Sequence, residues 1–118
     1  MTVREVMTVV PTAISRDVTV AEAARVLAEC DVGPLPVVDG EELVGIVTDR
    51  DLVVRVLAEG RDPNSTTVGE IASTDVVSVE PDVEVDEALR LMAEHHVRRL
   101  PVAEAGRLVG ILSQADVG

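Results

Sequence analysis

The sequence predicts an α+β domain assembled from two copies of one unit, each running helix–β–α–β–β–α. Three observations carry that prediction. First, Thr2–Val53 set over Thr67–Gly118 aligns without insertion, an offset of 65, with about 20 of 52 positions identical. Second, the hydrophobic period changes from helical to alternating in the same order in both copies. Third, apolar content is 47% and aromatic content 0%, so the core must be aliphatic. At 118 residues the chain is about one domain. Its repeat is longer than solenoid periods. Duplication of a half-domain about a pseudo-twofold axis accounts for it.

Taken in order, Thr2-Val3-Arg4-Glu5 and Thr67-Val68-Gly69-Glu70 both fit the S/T-x-x-E capping box, so a short helix opens each copy. Brief β-prone stretches follow at Thr12–Ile14 and Val76–Val79. Thr19, with Glu22 three residues on, starts a helix over about Val20–Cys30. Its apolar residues Val20, Ala23, Ala24 and Leu27 recur at helical spacing; the second copy supplies Val85, Ala88, Leu89 and Met92. Two strands, Leu35–Val38 and Leu43–Val47, flank the turn Asp39-Gly40-Glu41-Glu42. Leu100–Ala103 and Leu108–Leu112 repeat them around Glu104-Ala105-Gly106. A closing helix is expected from about Asp49 to Glu59. The division is therefore residues 1–60, a linker 61–66 rich in turn formers, and residues 67–118. The second copy ends where its closing helix should begin, so we expect the natural chain to continue, or another chain to cover that edge.

Composition excludes several classes. The net charge is −12, from 22 acidic and 10 basic residues, and every basic residue is arginine. Such a field repels nucleic acid and anionic membrane at long range. With no aromatic residue there is no stacking platform for single-stranded nucleic acid. Cys30 is the lone cysteine and cannot form an intramolecular disulfide. No signal peptide or membrane-length apolar run is evident, so the expected location is cytoplasmic.

The order of elements, with Leu-Pro-Val before the turn (Leu35-Pro36-Val37 and Leu100-Pro101-Val102) and Leu-Val-Gly-Ile after it (Leu43–Asp51 and Leu108–Asp116), resembles a tandem pair of cystathionine-β-synthase (CBS) domains over essentially the whole chain. Ala58–Asn64 and His95–Val102 are similar to small stand-alone two-CBS proteins, the hypoxic-response type among them. The resemblance implies two βαββα units related by pseudo-twofold symmetry and packed sheet to sheet with helices outside, a Bateman module. It implies clefts between the units that take an adenine nucleotide of the AMP or ATP class as a regulatory ligand. It also implies a homodimer and no catalytic activity or required cofactor. A protein partner cannot be named from it.

Candidate ligand contacts follow from the same resemblance. Thr48 and Asp51, with Ser113 and Asp116, occupy the strand–helix junctions where relatives hold ribose and phosphate. A carboxylate can accept hydrogen bonds from two vicinal hydroxyls, and a helix N-terminus offers N–H groups to phosphate. The same residues fit a helix cap, so both roles stay open. Arg98 and Arg99, with His96 nearby, could neutralise a phosphate through bidentate contacts; the alternative is pairing with surface carboxylates. Their counterparts are Gly33 and Pro34, with Asp31 opposite His96, which predicts two unequal sites. Thr12, Ala13 and Ile14, and Val77, Ser78 and Val79, match positions set against adenine in relatives, with ordinary core as the competing role; Pro36 and Pro101 are further ligand-binding candidates. Gly45 and Gly110 suggest close approach of a backbone or a ligand. Adjacent His95 and His96 diverge on a helix and lack a third ligand, so no metal site is expected.

A scaffold protein with the fold and no nucleotide affinity is one competing function, and a sensor of an S-adenosylmethionine-type ligand is another. An enzyme is the least supported, since no P-loop, G-x-G-x-x-G, H-E-x-x-H or G-x-S-x-G motif occurs.

Overall fold

In the computed structural model, which describes residues 1–9, 12–30 and 34–117, the chain divides into two compact bodies. One is Thr12–Val76; the other joins Met1–Pro11 to Val77–Gly118. These bodies are offset from the sequence copies. The opening segment of each copy folds into the body built around the other copy's hairpin.

In the first body, helix α2 (Val20–Cys30) begins where Glu22 N–H donates to Thr19 Oγ1 at 3.3 Å. Val20, Ala23 and Leu27 lie on one face and are buried, whereas the outward positions Glu22, Arg25 and Glu29 are exposed. They pack with Leu35 and Val37 of β3 (Pro34–Asp39) and Val47 of β4 (Glu42–Thr48) in one aliphatic cluster. Each fully buried Val or Leu contributes roughly 1.5–3 kcal/mol relative to exposure. β3 and β4 pair antiparallel across a two-residue turn in which Gly40 has φ 66°, and the register skips at Val44, making a bulge. The short strand β2 (Ile14–Ser15) runs parallel to β3.

On the other side of β4, Ile46 and Ser73 exchange both backbone hydrogen bonds at 2.9 Å. Ser73 follows helix α4 (Val68–Ile71), the opening helix of the second copy. Val68 N–H donates to Val18 C=O, and Gly69 N–H to Arg16 C=O, both at 2.8 Å. Val68 itself is fully buried in this body's core. That segment thus pairs with a hairpin strand that comes from the first copy.

The second body repeats the scheme. Helix α5 (Val85–His95) packs with the hairpin β5 (Arg99–Glu104) and β6 (Arg107–Ser113), whose register skips at the equivalent residue, Val109. The opening helix α1 (Val3–Val6) and strand β1 (Thr8–Val9) of the first copy complete it. Thr8 pairs with Ile111 and Val9 with Gly110 on β6. Val3 N–H donates to Val83 C=O at 2.9 Å and Arg4 N–H to Pro81 C=O at 2.8 Å. Arg4 also reaches Glu104 at 2.9 Å and Asp82 at 3.4 Å, so its guanidinium pKa is raised, mainly through the hydrogen bond to Glu104.

The predicted helices α2 and α5 and both hairpins are present, and the fold class is α+β. Other details differ from expectation. Thr12 and Ala13 precede β2 rather than forming a strand, and Val76–Val79 forms only an isolated parallel bridge, Val79 to Val102. Among the described residues neither stretch pairs with a second flanking strand. Strand β1 had no alternating run to announce it. The closing helix is a four-residue α-helix, α3 (Asp49–Leu52), that widens into a π-helical segment, Val53–Leu57. A second four-residue helix, α6 (Gln114–Val117), follows β6. Among the described residues no helix is long and apolar enough to cross a membrane.

Candidate functional site

At the end of β4 the chain leaves the sheet at Thr48, whose extended backbone makes it the N-cap of α3. Asp51 N–H donates to Thr48 Oγ1 at 3.2 Å. In return Asp51 Oδ2 accepts from Thr48 N–H at 2.9 Å and from the Thr48 hydroxyl at 3.1 Å. The cap role is therefore realised. It uses one oxygen of the carboxylate. The other, Oδ1, lies 3.8 Å from Nε of Arg55, one helical turn on, and the Asp51 side chain is only 19% exposed. Arg55 Nη1 donates to the carbonyl of Ile71 at 3.0 Å. The sequence analysis did not single out Arg55; its i, i+4 spacing from Asp51 was the available signal.

The junction of β6 with α6 has the same design. Ser113 N–H donates to Asp116 Oδ2 at 3.0 Å, and Asp116 N–H to Ser113 Oγ at 3.3 Å. Gln114 N–H donates to Arg98 C=O at 2.8 Å. Two first-turn amides of α6 are thus already satisfied, which leaves little of the helix terminus for the phosphate role considered from sequence. Asp116 Oδ1 forms no hydrogen bond or ion pair with any described residue, and Asp116 is exposed.

The β5–β6 register sets Arg99 directly opposite Ser113. Arg98 and Arg99 therefore stand at the same end of the hairpin as Ser113 and Asp116. In the first body that register position is held by Pro34, opposite Thr48. Arg4, Arg25, Arg55, Arg61 and Arg90 all pair with carboxylates. Arg98 and Arg99 pair with no described residue, despite the abundance of acidic side chains.

The remaining candidates scatter. Ile14, Pro36, Val79 and Pro101 are buried; Thr12, Ala13 and Ser78 are exposed, and Val77 is half-buried. Ala103 N–H donates to Val79 C=O at 2.9 Å and Val79 N–H to Pro101 C=O at 3.1 Å, so residues 77–79 run beside β5 toward its far end from the arginines. His96 ends α5 in the left-handed conformation, φ 55°, and is exposed, as are His95 and Cys30. Asp31 and Gly33 lie outside the described residues. Gly45 and Gly110 meet backbone: a Cβ would lie 2.9 Å from Ser73 C=O or from Thr8 C=O. The close approach expected there is made by the exchanged segments.

The model of the CBS domain family matches residues 3–58 and again 68–117. The chain belongs to the CBS domain family. Hypoxic response protein 1 of Mycobacterium tuberculosis is 41% identical over 117 residues, which is 98% of this chain and 82% of that protein. A crystal structure of Hypoxic Response Protein I with two coordinated zinc ions superposes with a TM-score of 0.89 over 99% of this chain and 96% of that one, again at 41% identity. The CBS domain pair of protein MJ0100, in complex with 5′-methylthioadenosine and S-adenosyl-L-methionine, is 28% identical, with a TM-score of 0.79 over 99% of this chain and 92% of that one. Among the described residues no group of three or more His, Cys, Asp or Glu side chains comes together.

Proposed function

We propose that this CBS pair is a non-catalytic regulatory module binding an adenine nucleotide of the AMP or ATP class, and that the Ser113–Asp116 junction is its principal site. The observation that carries the reading is the placement, at one hairpin end, of Asp116 beside Arg98 and Arg99, two arginines that form no ion pair with any described residue. The Asp116 carboxylate suits a ribose diol as acceptor. The guanidinium groups suit a phosphate, to which arginine binds in bidentate geometry. In a chain of net charge −12, an anion is otherwise repelled, so a local pair of cations selects where it goes. Binding acts as a signal when the ligand favours one arrangement of the module over another. A homodimer is part of the same reading; the exposed side chains Val53, Val54 and Leu57 are apolar surface that pairing would cover.

A second reading, an S-adenosylmethionine-type ligand, is favoured by the complex of the MJ0100 pair with two such compounds. Calorimetric titration with AMP, ATP, adenosine, 5′-methylthioadenosine and S-adenosylmethionine separates the two. Tighter binding of AMP than of adenosine, weakening as salt rises, supports the nucleotide reading. Tighter binding of S-adenosylmethionine than of AMP replaces it with the second. No heat from any of the five leaves a scaffold protein.

A further inference from the structure

The two aspartate junctions share their caps and differ in one contact. Asp116 Oδ1 forms no hydrogen bond or ion pair with any described residue, whereas Asp51 Oδ1 lies 3.8 Å from Nε of Arg55. Arg55 is not merely a mobile surface cation. The same guanidinium is anchored by the bond from Nη1 to the Ile71 carbonyl, so it straps the π-helical segment to α4 while its Nε stays beside Asp51. We propose that Arg55 is a specificity-determining residue that competes with a neutral diol for Asp51, and so ranks the two junctions of the chain. This rests on the reading that the hydroxyl–aspartate junctions take a ribose diol.

The chemistry runs as follows. Asp51 Oδ2 already accepts two donors from Thr48. A carboxylate oxygen that must receive a ribose hydroxyl is therefore Oδ1, where the guanidinium stands. At 3.8 Å the guanidinium and Oδ1 form an ion pair without a hydrogen bond, so a hydroxyl approaching Oδ1 competes with the Coulomb attraction of the cation. The diol consequently binds Asp51 only by displacing or distorting the strap. The ion pair is half-exposed on the arginine side, and pairs of that kind are modest. The competition is thus worth about three- to ten-fold in affinity rather than complete exclusion.

The test is calorimetry of the full chain with adenosine, which carries the diol and no phosphate, in a background of Asp116→Ala that leaves the first junction as the reader. Adding Arg55→Met, which keeps the length of the stem and removes the cation, should tighten adenosine binding about three- to ten-fold. Adding Asp51→Ala to that pair should abolish the gain. Unchanged or weaker binding on Arg55→Met overturns the proposal, as does a gain that survives Asp51→Ala, or no measurable binding in either background. The nucleotide reading stands or falls separately, on whether Asp116→Ala alone weakens AMP binding by the unmodified chain.

Discussion

Gly45 lies so close to the backbone of Ser73 that a Cβ in its place would sit 2.9 Å from the Ser73 carbonyl oxygen and 3.3 Å from the Ala72 Cβ. Gly110 repeats the relationship against Thr8, with Met7 Sδ closer still. Each glycine is where a strand accepts the opening segment of the opposite copy. Gly45→Ala and Gly110→Ala should each destabilise by about 1–3 kcal/mol, the range for overpacking against backbone that cannot yield. Urea unfolding checks this, and midpoints unchanged in both variants would remove the close-approach account.

The exchange of opening segments also predicts where damage spreads. Val3 is fully buried among Val79, Ala88, Met92 and Leu100, and Val68 among Ile14, Val20, Leu35 and Val47. Val3→Ala should cost about 2 kcal/mol and speed amide exchange across 77–117, although Val3 belongs to the first sequence copy. Val68→Ala should do the same across 14–58. Hydrogen exchange read by mass spectrometry would show the pattern, and loosening of the variant's own sequence copy would contradict it.

Ligand variants should sort by chemistry. Asp116→Ala removes the diol acceptor and should weaken AMP and adenosine alike, by about ten-fold or more. Arg98→Ala and Arg99→Ala should weaken AMP several-fold and leave adenosine almost unaffected, because only the phosphate uses the cations. Equal losses for both ligands in the arginine variants would place the phosphate elsewhere.

Glu70 gives a pH dependence of defined sign. Its carboxylate accepts from Thr67 N–H at 2.7 Å, from Thr67 Oγ1 at 3.0 Å and from Arg61 at 3.1 Å. The Thr67 backbone bond, followed by the hydroxyl and Arg61, holds its pKa below the ordinary 4.5. A carboxyl depressed in the folded state stabilises it above the ordinary value and stops doing so as pH falls through the folded one. The difference in thermal midpoint between the parent chain and Glu70→Gln should therefore be constant above about pH 5.5 and shrink steadily below about 4.5. A difference that persists at low pH would show that the carboxylate charge is not responsible.

The sequence by itself determined the duplication, helices α2 and α5, and both hairpins. Each of these follows from local signals, namely an alternating or 3.6-residue apolar period, capping residues, and turn residues that tolerate positive φ. The hydroxyl–aspartate pairs were legible for the same reason, since three-residue spacing at a helix start is local, and their double meaning as cap and acceptor was legible with them. Only the tertiary structure decided the rest. Strand β1 and the Val79 bridge depend on a partner distant in the chain, so two or three residues carry no period of their own. The identity of each body, with Thr8 on β6 and Ser73 on β4, depends on which hairpin edge a short opening segment finds. Gly45 and Gly110 could be read as close approaches from sequence, but not what approached them. The same holds at the sites: three-dimensional pairing, not spacing, left Arg98 and Arg99 without carboxylate partners among the described residues and set Arg55 against Asp51. Charge pairing is decided by distances across the fold, and those exist only once the aliphatic core has fixed the chain.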